Sequence, residues 1–173
     1  FFQAEDGIRR LQGDWSSDVC SSDLHGEGWA LYAERLMDEF GFLENPEYRL
    51  GYLFAQAFRA ARVVVDIGMH CDFSIPSEFK WHAGERWTPE LMLEFLSARS
   101  SSDAEFNQSE INRYLGWPGQ AISYKLGERV WLGLRDDARA KHGTSFDLKK
   151  WHAHALGLGN LGLDLLKDEM SRF

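Results

Sequence analysis

The chain has 173 residues, 44% hydrophobic and 14% aromatic, enough for one domain with a sizeable apolar core. Its net charge of −8, with no basic stripe interleaved with aromatics, excludes a nucleic-acid partner. No run of eighteen or more apolar residues occurs, so no membrane span is expected, and Cys20 and Cys71 are too few for a disulfide framework. That thiol content fits a reducing compartment and favours the cytoplasm, while the sequence leaves export of the parent open.

Residues Phe1 to Leu24, FFQAEDGIRRLQGDWSSDVCSSDL, show neither helical nor strand periodicity. Asp14 to Leu24 reads as the in-frame translation of a sequencing-library adapter, and Gln3 to Arg9 matches its other half. Residues 1–24 are therefore expected to be a non-native tail that does no chemistry, and 25–173 the native part. Setting the tail aside removes five acids (Glu5, Asp6, Asp14, Asp18, Asp23) and two arginines, leaving 22 acids against 17 bases. Cys71 is then the remaining thiol.

From His25 onward the pattern is helical throughout, which predicts an all-α fold. Trp29, Tyr32, Ala33, Leu36, Met37 and Phe40 keep the rhythm of one buried stripe, so a first helix is expected over about Glu27 to Phe40, stopped by Gly41. Asn45 and Pro46 supply an N-cap and first-turn proline for a second helix running to His70, about 36 Å at ~1.5 Å per residue. Cys71 to Trp87 breaks the periodicity and is too aromatic to be a linker, so it is expected to be a long ordered loop. Thr88 and Pro89 restart a helix to about Arg99, and Glu105 to Leu115 forms a short one. Trp117, Pro118 and Gly119 make a corner, with a long helix expected over Gly119 to Lys141. Two short helices, Asp147 to Leu156 and Leu163 to Met170, flank GLGNLG, which follows no strand and so is not a dinucleotide fingerprint.

Candidate chemistry centres on HGEGWALYAERL, His25 to Leu36. Glu27 and Glu34 share a helix face, but two turns hold them ~10.5 Å apart along the axis, too far to serve one ion. Glu27 is either a metal ligand or a first-turn acid complementing the helix dipole. No HExxH occurs in the 173 residues. His152 and His154, two apart on a helix, point to different faces and do not make a metal pair. His70 closes the second helix at the mouth of the ordered loop; His82 and His142 read as loop and surface residues. Cys71 lacks the partners of a thiol nucleophile. In RYLGWPGQAISYK, Arg113 and Tyr124 flank the corner, where a helix start could stabilise an oxyanion, against the alternative of a buried aromatic corner.

EGWALYAERL, RAARVVVDIGMH (Arg59 to His70) and NRYLGWPGQAISYKLGE (Asn112 to Glu128) occur in the order that resembles the C-terminal part of the bacterial family called domain of unknown function 885. The resemblance covers essentially all of 25–173. That family resembles gluzincin-type zinc metallopeptidases, in which an HExxPGH segment supplies two histidine ligands and the general base, and a glutamate on a later helix the third ligand. The resemblance implies a multi-helix C-terminal portion of a larger, mostly helical metallopeptidase-like domain. It implies zinc as cofactor of the full-length parent, Glu27 as its metal ligand, and a peptide substrate. Tyr124, His70 and Arg113 become candidate oxyanion or substrate contacts. The HExxPGH segment lies upstream in the family, on the side where this chain carries the adapter-like stretch. The chain is thus expected to pack against a missing N-terminal half, and to be inactive as it stands. A non-catalytic peptide- or ligand-binding helical domain that keeps the fold without a metal is the alternative.

Overall fold

In the computed structural model the backbone is described for residues 17–173 and side chains for 23–173. Seven α-helices, and no strand, occur among the described residues. They are α1 (Ser17–Glu39), α2 (Pro46–His70), α3 (Pro89–Ser97), α4 (Ala104–Gly116), α5 (Ser123–His142), α6 (Leu148–Gly157) and α7 (Leu163–Met170). A 3-10 turn, Gly143–Ser145, follows α5. The expected all-α class is the observed one.

The starts that carry capping chemistry fall where the residues place them. Asn45 caps α2 by accepting from Glu47 N–H, with Pro46 in the first turn. Thr88 caps α3, Asp103 caps α4 and Asp147 caps α6, each through a side-chain oxygen on a first-turn amide. Two expectations are corrected. α1 begins at Ser17, so Glu27 stands in the helix interior and is not a first-turn acid facing the dipole. α5 begins at Ser123, because Pro118 and Gly119 set a turn, and Gly119 has φ +82°, which no right-handed helix accepts. Residues 1–16 of the adapter-like segment lie outside the described residues.

The chain divides into two units. The first comprises the residues up to Ala33 together with Leu126–Phe173. Its core is aromatic: Tyr32, Trp131 and Trp151 are fully buried, with Leu31, Ala155, Leu166 and Met170 around them. Tyr32 stacks on Trp131 at 5.9 Å, and Trp131 meets Trp151 edge-on at 6.0 Å. Here α1 and α5 touch backbone to backbone. A Cβ on Gly28 would sit 2.4 Å from Gly127 Cα, and one on Gly127 would sit 2.0 Å from the Leu24 carbonyl oxygen. Only glycine at both positions admits that approach.

The second unit, Glu34–Lys125, holds α2, α3 and α4, with α3 packed on both neighbours. Val65, Trp87, Met92, Leu96, Ile111 and Tyr114 lie in its core. The stretch from Cys71 to Trp87 is the ordered loop expected. It folds back on itself through an isolated antiparallel bridge, Ser74 to Arg86, with Ile75 N–H donating to Glu85 O at 2.8 Å. Gly68 on α2 receives the Trp87 indole, which would lie 2.5 Å from a Cβ there. Between α2, the loop and α3 runs an apolar cleft of about 450 Å³, walled by Val64, Ile67, Phe73, Phe79 and Trp81 among others.

Candidate functional site

α2 carries Arg59, Arg62, Asp66 and His70 at spacings of three and four, which puts them along one side of the helix. Asp66 is 1% exposed. Its Oδ2 accepts from Gly119 N–H at 3.0 Å, across 53 residues of sequence. Its Oδ1 lies 2.7 Å from His70 Nδ1, whose hydrogen bond runs to the Asp66 carbonyl at 2.9 Å. Two oxygens so close to one ring nitrogen require that nitrogen to carry the proton, which leaves Nε2 as the acceptor of the neutral ring. Burial raises the Asp66 carboxyl above its ordinary value, opposed by His70 and by the Gly119 amide.

α4 supplies the next part. Arg113 grips Glu110 with a fork, Nε to Oε1 at 3.0 Å and Nη2 to Oε2 at 2.8 Å, and donates Nη1 to Gln120 Oε1 at 2.6 Å. Tyr114, fully buried, donates to Glu110 Oε2 at 2.7 Å. Burial pushes the Tyr114 hydroxyl well above the usual phenol range, and the Glu110 hydrogen bond adds to that rise. Burial alone would raise Glu110, but Arg113 and Tyr114 outweigh it and hold the carboxyl below its ordinary value. The Arg113 guanidinium is held above its own, chiefly by the Glu110 bonds. Tyr124, in the first turn of α5, lies under two cations: the Arg59 guanidinium is 4.5 Å from its ring centroid and that of Arg62 is 5.0 Å.

His70, Arg113 and Tyr124 thus belong to one connected polar network in the second unit. It runs from Asp66 to the corner at Gly119 and Gln120, then through Arg113, Glu110 and Tyr114 to Arg62. Arg113 spends its donors inside that network, while His70 keeps a nitrogen for an outside partner. Asp66, Arg62, Glu110 and Gln120 are members that the sequence reading passes over. The i,i+4 spacing of Asp66 and His70 and the i,i+3 spacing of Glu110 and Arg113 are the signals that could have found them.

Glu27 belongs to the first unit. It is half-buried in α1, next to Gly28 and its backbone contact with α5. It makes no hydrogen bond or ion pair among the described residues. Asp23, one turn earlier, has its carboxyl raised by burial and then by repulsion from Glu27. A zinc ion needs at least three protein ligands, and no group of three His, Cys, Asp or Glu able to hold a metal occurs among the described residues. The described residues therefore do not fit a complete zinc site.

The remaining histidines take local roles. His152 shares a 2.8 Å hydrogen bond with the Tyr32 hydroxyl in the first unit's core, while exposed His154 packs on Phe173. They point apart, as their spacing requires. His82, in the loop, pairs with Glu85 beside it and with Glu94 on α3. Cys71 is an exposed free thiol.

The fold is all-α, with a buried charged cluster in the second unit and the half-buried Glu27 on α1 in the first. The chain belongs to the family described as bacterial protein of unknown function (DUF885), whose model matches residues 4–170. It is similar to a solved structure of a candidate lipoprotein from Colwellia psychrerythraea, with 36% identity and a TM-score of 0.73 over 87% of this chain. The match covers 24% of the Colwellia chain, so this chain spans about a quarter of that protein's length. No curated protein matches the chain.

Proposed function

We propose that this chain is the C-terminal helical portion of a zinc-dependent metallopeptidase-like hydrolase, with residues 1–24 a non-native tail. In this reading Glu27 is one metal ligand of the parent, and His70, Tyr124 and Arg113 are substrate-contact candidates. The observation that carries it is Glu27 itself. A half-buried carboxylate without hydrogen bond or ion pair, on a helix locked by glycine-to-glycine contact, is a ligand kept in place for a partner outside the chain. The residues described here contribute position and no complete metal site, so the chain alone is inactive.

The test compares two proteins. A full-length version, made from the uninterrupted upstream reading frame, is expected to hold about one zinc, cleave peptides and lose both properties on Glu27→Ala. The 25–173 chain is expected to hold no stoichiometric zinc and cleave nothing; hydrolysis by the purified chain would sink the reading. The competing reading is a binding domain that keeps the fold without a metal. It is favoured instead if peptides bind the full-length protein equally with and without a chelator and no zinc is found.

A further inference from the structure

Three successive side chains on α2 present buried nitrogen donors that meet no acceptor: Gln56 Nε2, Arg59 Nε and Arg62 Nε. Arg62 is the deepest, at 5% exposed, and makes neither hydrogen bond nor ion pair among the described residues. Its guanidinium faces the rings of Tyr124 at 5.0 Å, Tyr114 at 5.4 Å and Phe58 at 5.8 Å. Ring faces attract the charge but give the guanidinium no lone pair to receive its N–H groups. Gln56 has its carbonyl oxygen taken by Lys125 Nζ, so what it has left is its NH₂. Neither acid in range forms an ion pair or hydrogen bond with Arg59 or Arg62 among the described residues, although Asp66 Oδ1 hydrogen-bonds nothing. Glu110 serves Arg113 and Tyr114, and Asp66 serves His70 and the Gly119 amide. Burial lowers the Arg62 pKa; Tyr114 and Glu110 oppose that, and the neighbouring Arg113 and Arg59 add to it.

Arg59 and Arg62 therefore bring buried donors without an acceptor to one side of α2, inside a chain of net charge −8. Buried guanidinium groups are tolerated when an anion completes them. We propose that Gln56, Arg59 and Arg62, backed by the Tyr124 ring, form a carboxylate-binding site. The planar donors of two guanidinium groups and an amide match the two in-plane oxygens of a carboxylate. Its occupant is the free carboxyl end of a peptide; that assignment rests on the hydrolase reading, whereas the site itself does not. The other source of the same chemistry is an acidic side chain from the rest of the larger protein.

The experiment follows the Arg59 and Arg62 Nε–H resonances of the nitrogen-15-labelled chain, free of metal, on addition of N-acetylglycylphenylalanine or its C-terminal amide. The acid is expected to shift both resonances and to bind at least tenfold more tightly than the amide. Arg59→Gln, a half-buried position, is expected to abolish that preference with unchanged circular dichroism. Equal binding of acid and amide, no shift of either resonance, or equal competition by inorganic phosphate overturns the site. A full-length protein in which both resonances already occupy the bound position and ignore the added acid overturns the peptide assignment in favour of an internal carboxylate. Zinc content and Glu27→Ala test the hydrolase reading separately, so failure of one leaves the other standing.

Discussion

His70 shows how much of a residue's chemistry is decided by a neighbour one helical turn away. With Nδ1 facing Asp66 through both the carboxylate and the carbonyl, the ring keeps one orientation and one neutral tautomer. Nε2 is the nitrogen left to accept a proton or hydrogen bond, from a side chain that is 24% exposed. Asp66 is the positioning group, and the Gly119 amide in turn fixes Asp66. Glu110 plays the comparable part on α4, and its effect reads out in pH. Its folded-state carboxyl lies below the unfolded value, so the stabilisation it supplies is present above the ordinary glutamate pKa. That stabilisation is lost as pH falls through the folded value. Glu110→Gln should cost on the order of 1–2 kcal/mol at pH 7, the range of a charge-assisted hydrogen bond net of solvent. Urea unfolding of the native chain and the variant at pH 7 and pH 3.5 checks this. The gap between their midpoints should narrow at the lower pH, and a gap that widens there contradicts the assignment.

At the scale of elements, helix starts are legible wherever a side chain announces them. Asn45 before Pro46, Thr88 before Pro89 and Asp147 before Leu148 all cap the helix their residue types imply. The failures have physical causes. α1 begins ten residues before its expected start at Glu27, because helical backbone does not need an amphipathic pattern to persist. α5 starts late because a positive φ at Gly119 is a property of the turn that composition alone does not display. The contact between α1 and α5 is invisible in sequence for a different reason: Gly28 and Gly127 are 99 residues apart, and each alone reads as a weak helix former. Their substitution separates packing from propensity. Gly133 lies in the same helix as Gly127, with nothing within 4 Å of a Cβ, so Gly133→Ala should stabilise by up to about 1 kcal/mol. Gly127→Ala forces backbone against backbone and should destabilise by about 2 kcal/mol or more, in spite of the same propensity gain. Chemical denaturation of the two variants decides it. Equal stabilisation by both would mean that α1 and α5 do not meet at these glycines in solution.

For the whole molecule, what the sequence discloses is local and what it hides is long-range. Glu27, His70 and Tyr124 stand out by residue type and place, but the partners that define them arrive from elsewhere: Gly119 to Asp66, Arg62 to Tyr124. The same limit applies to the chain's outer surface. In the second unit Phe40, Phe42, Tyr48, Leu50, Leu53 and Phe54 are all large, apolar and between 46% and 67% exposed. Isolated apolar side chains on a surface are ordinary, but Leu50, Leu53 and Phe54 share one side of α2 at i, i+3 and i+4, a stripe of the kind that natural monomers cover. In the proposed reading, where this chain is the C-terminal portion of a longer protein, the rest of that protein is what would cover it. The expected consequence is that the 25–173 chain binds 1-anilinonaphthalene-8-sulfonate strongly and elutes above its monomer size, while a full-length version does neither. Replacing Phe42, Leu53 and Phe54 with serine should cut the dye signal of the short chain with helicity retained, since these side chains sit outside its core. Dye binding of equal strength in the short and full-length proteins would show that this face stays open. The apolar residues of α2 would then have to serve a partner other than the same polypeptide.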